Sequence, residues 1–242
     1  MIKEAISITD EDYKRSLYDD RVAKHFTFSV VFPCLMQNMI TKTIQIDNQF
    51  TIEDKVIICD SMQLYISSID YRFMINLYNG LMKLRTFDFS SDDNMLVDSK
   101  RIVMHIKKIS TIKEIPITTN SVLFKTNSPI LIEDKNDKPV LFTDPNFEAE
   151  LNEITNRRLL SIKGERLRQP LKFEPLKMKK EVVKHTLKKF REHTGKPFMY
   201  LTGSSGVFKL SGHPHDLETL YQIGIGNRTG QGFGMVELIC QM

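Results

Sequence analysis

Short apolar runs with a period of two recur along the chain and predict β-strands. The clearest are residues 25–32 (HFTFSVVF), 42–50 (KTIQIDNQF) and 101–109 (RIVMHIKKI). Residues 197–212 (PFMYLTGSSGVFKLSG) predict a β-hairpin with GSSG at its tip, because glycine and serine favour tight turns. A last strand is predicted in residues 233–240 (FGMVELIC).

Apolar positions at helical spacing predict a smaller number of helices. Residues 70–84 (DYRFMINLYNGLMKL) repeat apolar positions every three or four residues, and Asp70 can cap the first turn. Residues 7–20 (SITDEDYKRSLYDD) predict one helix with Thr9 as its cap. Residues 144–160 predict another.

Both halves of the chain show the order strands, helix, strands, which predicts two α+β domains. The helices are too few for the strand–helix alternation of a doubly wound α/β sheet. A turn signal, TNSP at 126–129, separates two apolar runs. We therefore predict one domain over residues 1–125 and a second over residues 126–242.

The composition is typical of a soluble globular protein in a reducing cytosol. The chain is 41% hydrophobic and 26% charged, and it lacks the run of about 18 apolar residues that predicts a membrane span. Cys34, Cys59 and Cys240 are far apart and odd in number, which disfavours a disulfide framework or a cysteine zinc site. His213 and His215 have no third ligand nearby in sequence, so no metal site is expected.

The charge distribution along the chain indicates a polyanionic partner. Residues 157–196 contain 14 Lys and Arg against 4 Asp and Glu, a net charge of +10, whereas the rest of the chain contains 20 basic and 26 acidic residues, a net charge of −6. A concentrated basic segment in an otherwise acidic chain is typical of nucleic-acid binding. A solvated helix and hairpin surface is the alternative.

Five of the eleven glycines of the chain lie in residues 224–234 (GIGNRTGQGFG), which we call the glycine stretch. Its spacing does not match the G-x-G-x-x-G of a dinucleotide site, and it follows a predicted helix and precedes a strand, the reverse of the required order. No Gly-Lys-Ser/Thr follows, which excludes a P-loop. The glycines are therefore expected to let the backbone come close either to RNA phosphates or to another part of the fold.

The segment IGIGNRTGQGFGMVEL at 223–238 resembles the C-terminal glycine-rich signature of the CRISPR-associated endoribonucleases that process repeat RNA, the Cas-six type of the RAMP superfamily. KHFTFSVVF at 24–32 resembles the K-x-F-T-F-S segment of that family, and SPI at 128–130 is a third match in the same order. The resemblance covers nearly the entire chain. It implies two tandem ferredoxin-like (RRM-like) domains.

The resemblance also implies the activity and the partners. Such proteins cleave CRISPR precursor RNA within each repeat, without metal or cofactor, to generate guide RNAs for antiviral defence. The ribose 2′-hydroxyl attacks the phosphate and leaves a cyclic phosphate and a 5′-hydroxyl. An RNA-binding RAMP subunit of a CRISPR effector complex without cleavage is the alternative, and a homodimer is left open.

The start of the chain departs from the family pattern. Family members open with a strand and a turn before the first helix, whereas MIKEAI at 1–6 resembles the middle of that helix. Either the first strand of the first ferredoxin-like domain is absent or the chain is a shortened gene product. A missing strand is expected to leave a sheet edge open or paired differently.

In the family a Tyr, a His and a Lys form the catalytic site, and of these only the Lys is retained, as Lys24. The His position is occupied by Tyr18 and the Tyr position by Lys3. Three interpretations follow. His25 supplies the imidazole beside Lys24, Tyr18 and Lys24 act with Lys14 or Arg15 in a histidine-free site, or the protein binds RNA without cleaving it well.

Basic side chains and the glycine stretch are the predicted RNA contacts. Phosphate contacts from Lys and Arg supply affinity for RNA, and residues 162–170 (IKGERLRQP) predict an RNA-contact loop. The basic candidates are Arg157, Arg158, Lys163, Arg166, Arg168, Lys172, Lys177, Lys179 and Lys180. Those in the glycine stretch are Gly224, Gly226, Arg228, Gly230, Gly232 and Gly234.

Overall fold

The structure is a computed structural model that describes residues 1–18, 22–33, 39–90 and 95–242. No helix in these ranges is long and apolar enough to cross a membrane. The helices are α1 (Ile2–Thr9), α2 (Glu11–Tyr18), α3 (Tyr71–Leu84), α4 (Phe147–Lys163), α5 (Lys188–Thr194) and α6 (Pro214–Ile223).

The strands form several small antiparallel sheets, so the mixed α+β prediction is confirmed. They are β1 (Phe26–Val31), β2 (Met39–Gln45), β3 (Thr51–Ile57), β4 (Gln63–Ser68), β5 (Thr86–Asp88), β6 (Leu96–Val97), β7 (Lys100–Arg101), β8 (Val103–His105), β9 (Ser121–Thr126), β10 (Lys172–His185), β11 (Met199–Ser211) and β12 (Val236–Gln241).

The C-terminal half is built on a four-stranded antiparallel sheet in the order β10-β11-β9-β12. Apolar residues of the sheet, such as Phe124 and Phe208, form one core with α4 and α6, which contribute Leu151 and Leu220. The sheet has one apolar face because apolar residues alternate along its strands, and each helix has one because its apolar residues recur at helical spacing. This half of the chain folds by burying these faces against each other.

In the N-terminal half, β1 pairs with β4 and the helices α1 and α3 pack closely together. The Phe26 ring of β1 stacks on Phe73 of α3 with 4.5 Å between centroids. Gly80 permits the helix contact, because a Cβ built there would lie 1.9 Å from the Ala5 carbonyl oxygen. No strand precedes α1 in the described ranges, and β4 pairs only with β1 among the named strands.

The β2–β3 hairpin of the N-terminal half contacts the C-terminal half through two ion pairs. Asp54 Oδ2 lies 2.6 Å from Lys184 Nζ, and Asp47 Oδ2 lies 2.8 Å from Arg191 Nε. Lys184 belongs to β10 and Arg191 to α5. The hairpin therefore contacts the C-terminal half where β10 leads into α5.

The predicted GSSG hairpin tip is wrong. β11 runs without a turn through Gly203 and Gly206, and it pairs with β10 along its whole length. A Cβ at Gly203 would lie 2.6 Å from the Ile130 carbonyl oxygen, and one at Gly206 would lie 2.0 Å from the Lys177 carbonyl oxygen. These glycines therefore let other backbone segments come close to the strand. A residue without Cβ suits such a contact as well as it suits a turn.

The single helix predicted over residues 7–20 is also wrong within the described residues, because α1 ends at Thr9 and α2 begins at Glu11. The Thr9 hydroxyl does not cap a helix start but donates to the Ile6 carbonyl at 3.0 Å. Asp10 takes the capping role, since its Oδ1 accepts from the Tyr13 N–H at 2.9 Å.

The bounds of two other elements differ from the predictions. The helix predicted to open at residue 144 begins at Phe147, and the stretch 101–109 contributes β8 and the end of β7. The proposed domain division between residues 125 and 126 falls inside β9, whose pairing with β11 and β12 places it in the C-terminal sheet.

Candidate RNA-processing site

The glycine stretch lies directly against the segment that contains Lys24 and the start of β1. The Thr27 hydroxyl donates to the Phe233 carbonyl at 3.0 Å. A Cβ at Gly230 would lie 2.7 Å from Lys24 Cγ, and one at Gly232 would lie 2.9 Å from the Phe28 ring. Two segments about 200 residues apart in sequence are therefore in contact where the two halves meet.

Within the glycine stretch, Gly226 and Gly234 need both positive φ and close contact with backbone atoms. Their φ angles are 86° and 71°, and a Cβ would lie 2.3 Å from the Leu131 carbonyl oxygen and 2.0 Å from that of Ile225, respectively. Close packing of the loop against the protein explains these glycines. Contact of the five glycines with RNA stays a prediction.

Arg158 donates hydrogen bonds to the backbone of the glycine stretch. Its guanidinium donates to the carbonyls of Gly224 at 2.7 Å, Gly226 at 3.0 Å and Ile223 at 2.9 Å, and to the Thr229 hydroxyl at 3.0 Å. Burial lowers the pKa of Arg158 to about 10, so the side chain is still charged at neutral pH. With its donors committed to the loop, Arg158 positions the site from within the protein.

Lys24, Tyr18 and Lys3 form a cationic cluster beside the glycine stretch. The ammonium groups of Lys24 and Lys3 lie 5.5 Å and 5.6 Å from the centre of the Tyr18 ring. Lys24 also donates to the carbonyl of Leu17. Burial raises the pKa of Tyr18 to about 12, so its phenol stays protonated at neutral pH. The cluster combines positive charge with a hydroxyl that can donate a hydrogen bond.

The sequence suggested Lys14 or Arg15 as the second cation beside Tyr18 and Lys24, and in the structure neither takes that place. Lys14 lies 2.8 Å from a Glu11 carboxylate oxygen, and Arg15 lies 3.5 Å from it. Lys3 of α1 approaches the Tyr18 ring instead. Its place at the family's Tyr position was the one sequence signal that could have identified it.

His25 belongs to a separate hydrogen-bond network. Its Nδ1 lies 3.1 Å from Ser68 Oγ, and its Nε2 lies 3.3 Å from both Tyr13 Oη and Asp70 Oδ2. Tyr13 donates to the same Asp70 oxygen at 2.6 Å. The imidazole also packs edge-on against Phe73. Both ring nitrogens are therefore within hydrogen-bonding distance of protein groups.

The environment of His25 keeps its ring neutral at pH 7. Burial lowers the pKa of His25, and the nearby Asp70 carboxylate opposes this effect only in part. Burial of Asp70 works against its ionisation, but the hydrogen bond from Tyr13, the adjacent His25 and two backbone N–H groups hold its pKa below the ordinary value. The structure thus brings Tyr18 and Lys24 together and engages His25 elsewhere.

The predicted basic RNA contacts divide into exposed and anchored side chains. Lys163 Nζ lies 2.8 Å from His215 Nε2, Arg168 pairs with the buried Asp216 at 2.7 Å, and Arg228 Nε lies 2.9 Å from Glu133 Oε2. These pairs fix the loop after α4 and the glycine stretch in place. Arg168 is exposed despite its ion pair, and the other exposed candidates are Arg157, Arg166, Lys172, Lys177, Lys179 and Lys180.

The C-terminal half carries the match to a known family. Residues 111–238, more than half of the chain, match the family model described as CRISPR associated protein Cas6, C-terminal. The chain belongs to the Cas6 family. The match includes the glycine stretch and β9 to β11, so the resemblance found in the sequence motifs is confirmed.

Solved Cas6-type structures share the fold of the whole chain. A protein described as the product of a Cas6-related gene from Pyrococcus furiosus aligns with a TM-score of 0.65 and 23% identity, covering 100% of this chain and 88% of its own. A RAMP protein described as binding different RNA substrates gives the same score and identity over 99% and 88%. A Cas6 product complex gives 0.57 and 12% over 98% and 90%.

These similarities show the fold of the present chain as tandem ferredoxin-like domains with mixed α+β structure. Among curated proteins, none matches the chain significantly. At 12% to 23% identity, these structures show the fold of the chain and not the role of any individual residue.

Proposed function

We propose that the protein is a metal-independent endoribonuclease that cleaves CRISPR precursor RNA within its repeats. Membership of the Cas6 family supports repeat RNA as the substrate. The observation that carries the proposal is the pair of ammonium groups, from Lys3 and Lys24, that lie 5.6 Å and 5.5 Å from the centre of the Tyr18 ring. This cluster adjoins the glycine stretch, because Lys24 packs against Gly230.

The chemistry is an in-line displacement at phosphorus. The 2′-oxygen of the nucleotide before the scissile bond attacks the phosphorus while its proton passes to solvent water, and the bond to the 5′-oxygen breaks as that oxygen takes up a proton. The products are a 2′,3′-cyclic phosphate and a 5′-hydroxyl. Negative charge grows on the phosphate oxygens in the transition state, and positioned cations that stabilise such charge make large contributions to rate. Lys24 and Lys3 take this role.

Tyr18 acts as a donor in this scheme. With a pKa of about 12, only about one phenol in 10⁵ is ionised at pH 7, which makes Tyr18 a poor base for the 2′-hydroxyl. A protonated phenol suits the opposite task of donating to a phosphate oxygen or to the leaving 5′-oxygen. Substrate positioning and charge stabilisation therefore dominate over general-base catalysis.

A second candidate is an RNA-binding RAMP subunit of a CRISPR effector complex that does not cleave. The engagement of both His25 ring nitrogens favours it, because no imidazole then faces Lys24. The exposed lysines of β10 serve RNA binding equally well in either case. The two candidates differ only in the fate of the bound RNA.

Incubation of the purified protein with its cognate repeat RNA in excess EDTA separates them. We expect cleavage within the repeat, with a 5′-hydroxyl on the downstream product that is labelled by polynucleotide kinase without prior phosphatase treatment. Binding without any product supports the non-cleaving subunit. A requirement for Mg²⁺, or a 5′-phosphate on the product, contradicts the proposed mechanism.

A further inference from the structure

The hairpin of β10 and β11 exposes an unusual face near α5. Strand alternation turns Val183 and Leu201 inward, where they pack with Leu131 and Phe233. The neighbouring residues Val182, Lys184 and Tyr200 therefore lie on the opposite face, and the register places Lys184 directly across from Tyr200. Val182 is 51% exposed and Tyr200 is 60% exposed. An aromatic ring, an aliphatic side chain and a cation thus share one outer surface.

Neighbouring side chains hold this surface in place. The Phe198 ring meets Tyr200 edge-to-face, with 5.5 Å between centroids and an angle of 86°. The Lys184 ammonium lies 5.3 Å from the centre of the Phe198 ring, and Asp54 of the β2–β3 hairpin pairs with it at 2.6 Å. Tyr200 is restrained from one side while most of its ring faces solvent, so its stacking surface is preorganised.

The charge around this surface selects a polyanion. β10 is an edge strand, and it contains five lysines against two glutamates, a net charge of +3, of which Asp54 of the β2–β3 hairpin offsets one charge at Lys184. The lysines are Lys172, Lys177, Lys179, Lys180 and Lys184. A basic strand that follows a backbone, with an exposed aromatic ring at one end, is the combination that binds unpaired nucleotides. A hydrophobic protein surface is a poorer match for these cations.

The inner face of the same strand pair packs against the glycine stretch. Leu201, next to Tyr200 in sequence, packs against Phe233 of the glycine stretch on the inner face. The Phe233 carbonyl accepts from Thr27, and the adjacent Gly232 contacts Phe28. Tyr200 lies on the opposite face of β11 from this contact, where its ring is open to a ligand.

We propose that Tyr200, supported by Phe198, is a stacking site for one unpaired base of the bound repeat RNA. This inference rests on the RNA binding of the proposed function but not on cleavage. The ligand is a single-stranded RNA segment whose phosphates contact the lysines of β10. Stacking on an aromatic ring tolerates any base, so the site contributes affinity and register more than sequence choice.

The test measures affinity for labelled cognate repeat RNA by fluorescence anisotropy in EDTA at fixed salt. Tyr200→Ala is expected to weaken binding about 5- to 100-fold, the loss typical of one stacked base. Tyr200→Phe keeps the ring and is expected to bind within about threefold of wild type. Tyr71→Ala, which removes an 84% exposed tyrosine on α3, is the matched control and is expected to change nothing.

An abasic scan of the RNA makes the test specific for stacking. One abasic position is expected to weaken binding of wild-type protein and to leave the affinity of Tyr200→Ala unchanged, because that base has already lost its partner. Equal binding by wild type and Tyr200→Ala overturns the stacking site while the cleavage proposal stands. Equal losses in Tyr200→Ala and Tyr200→Phe also overturn it. If wild-type protein binds no repeat RNA, the proposed function itself fails.

Discussion

Replacing Lys24 with alanine is expected to slow single-turnover cleavage of repeat RNA by about 100- to 1,000-fold, the usual effect of removing one positioned group that stabilises transition-state charge. The Lys24 ammonium lies next to Tyr18 at the edge of the glycine stretch, where it can face the scissile phosphate. RNA affinity is expected to fall by less than about tenfold, because the lysines of β10 still contact the backbone. The measurement is the cleavage rate at saturating protein in EDTA.

Lys14→Ala is the matched control, because it removes a lysine of the neighbouring helix whose ammonium pairs with Glu11 at 2.8 Å. Its cleavage rate is expected to stay within about twofold of wild type, since a partly exposed ion pair contributes little. A Lys24→Ala variant that cleaves at the wild-type rate removes Lys24 from the mechanism. Equal losses in both variants indicate a structural effect of the helices on the site.

Arg158→Ala is expected to lower the free energy of unfolding by about 3 to 5 kcal/mol, because the substitution leaves carbonyl acceptors of the glycine stretch without a donor inside the protein. Four hydrogen bonds of 2.7–3.0 Å are lost at once. The measurement is chemical denaturation at neutral pH, where the guanidinium is charged in wild type. We also expect cleavage to fall, since Gly230 and Gly232 position Lys24 and Phe28.

The adjacent Arg157 provides the control for this prediction. It is exposed on the same helix, so Arg157→Ala is expected to change stability by less than about 0.5 kcal/mol. If Arg158→Ala unfolds like wild type and loses RNA affinity instead, then Arg158 contacts RNA, as its place in the basic segment first suggested.

The family and the α+β architecture could be predicted because short motifs carried them. The glycine stretch and the KHFTFS segment lie about 200 residues apart in sequence, yet they contact each other through Gly230 and Lys24. Each motif is local, so it can be recognised without knowing the packing. The contact between them depends on the tertiary structure and cannot be predicted from either motif alone.

Several individual roles could not be predicted, because they depend on which way a side chain points. Arg157 and Arg158 are neighbours with the same chemistry, and only the helix face separates an exposed cation from one enclosed by the glycine stretch. Lys24 and His25 differ in the same way, since one approaches Tyr18 and the other Asp70. A charge count cannot distinguish such pairs.

The role of the glycines in β11 could not be predicted from the sequence either. The stretch GSSG has the composition of a turn, but it lies inside a continuous strand because Gly203 and Gly206 approach the backbone of Ile130 and Lys177. A missing Cβ suits a turn and a close contact equally well, and only the partner strand decides between them.

The most direct test of metal-independent cleavage by the 2′-hydroxyl uses repeat RNA with one 2′-deoxy nucleotide at the mapped cleavage position. In EDTA, the protein is predicted to bind this RNA about as tightly as the all-ribose repeat and to leave it intact, while it cleaves the all-ribose RNA to a 5′-hydroxyl product. Cleavage of the 2′-deoxy RNA at that position would contradict the account, because the attacking oxygen would then have to come from elsewhere.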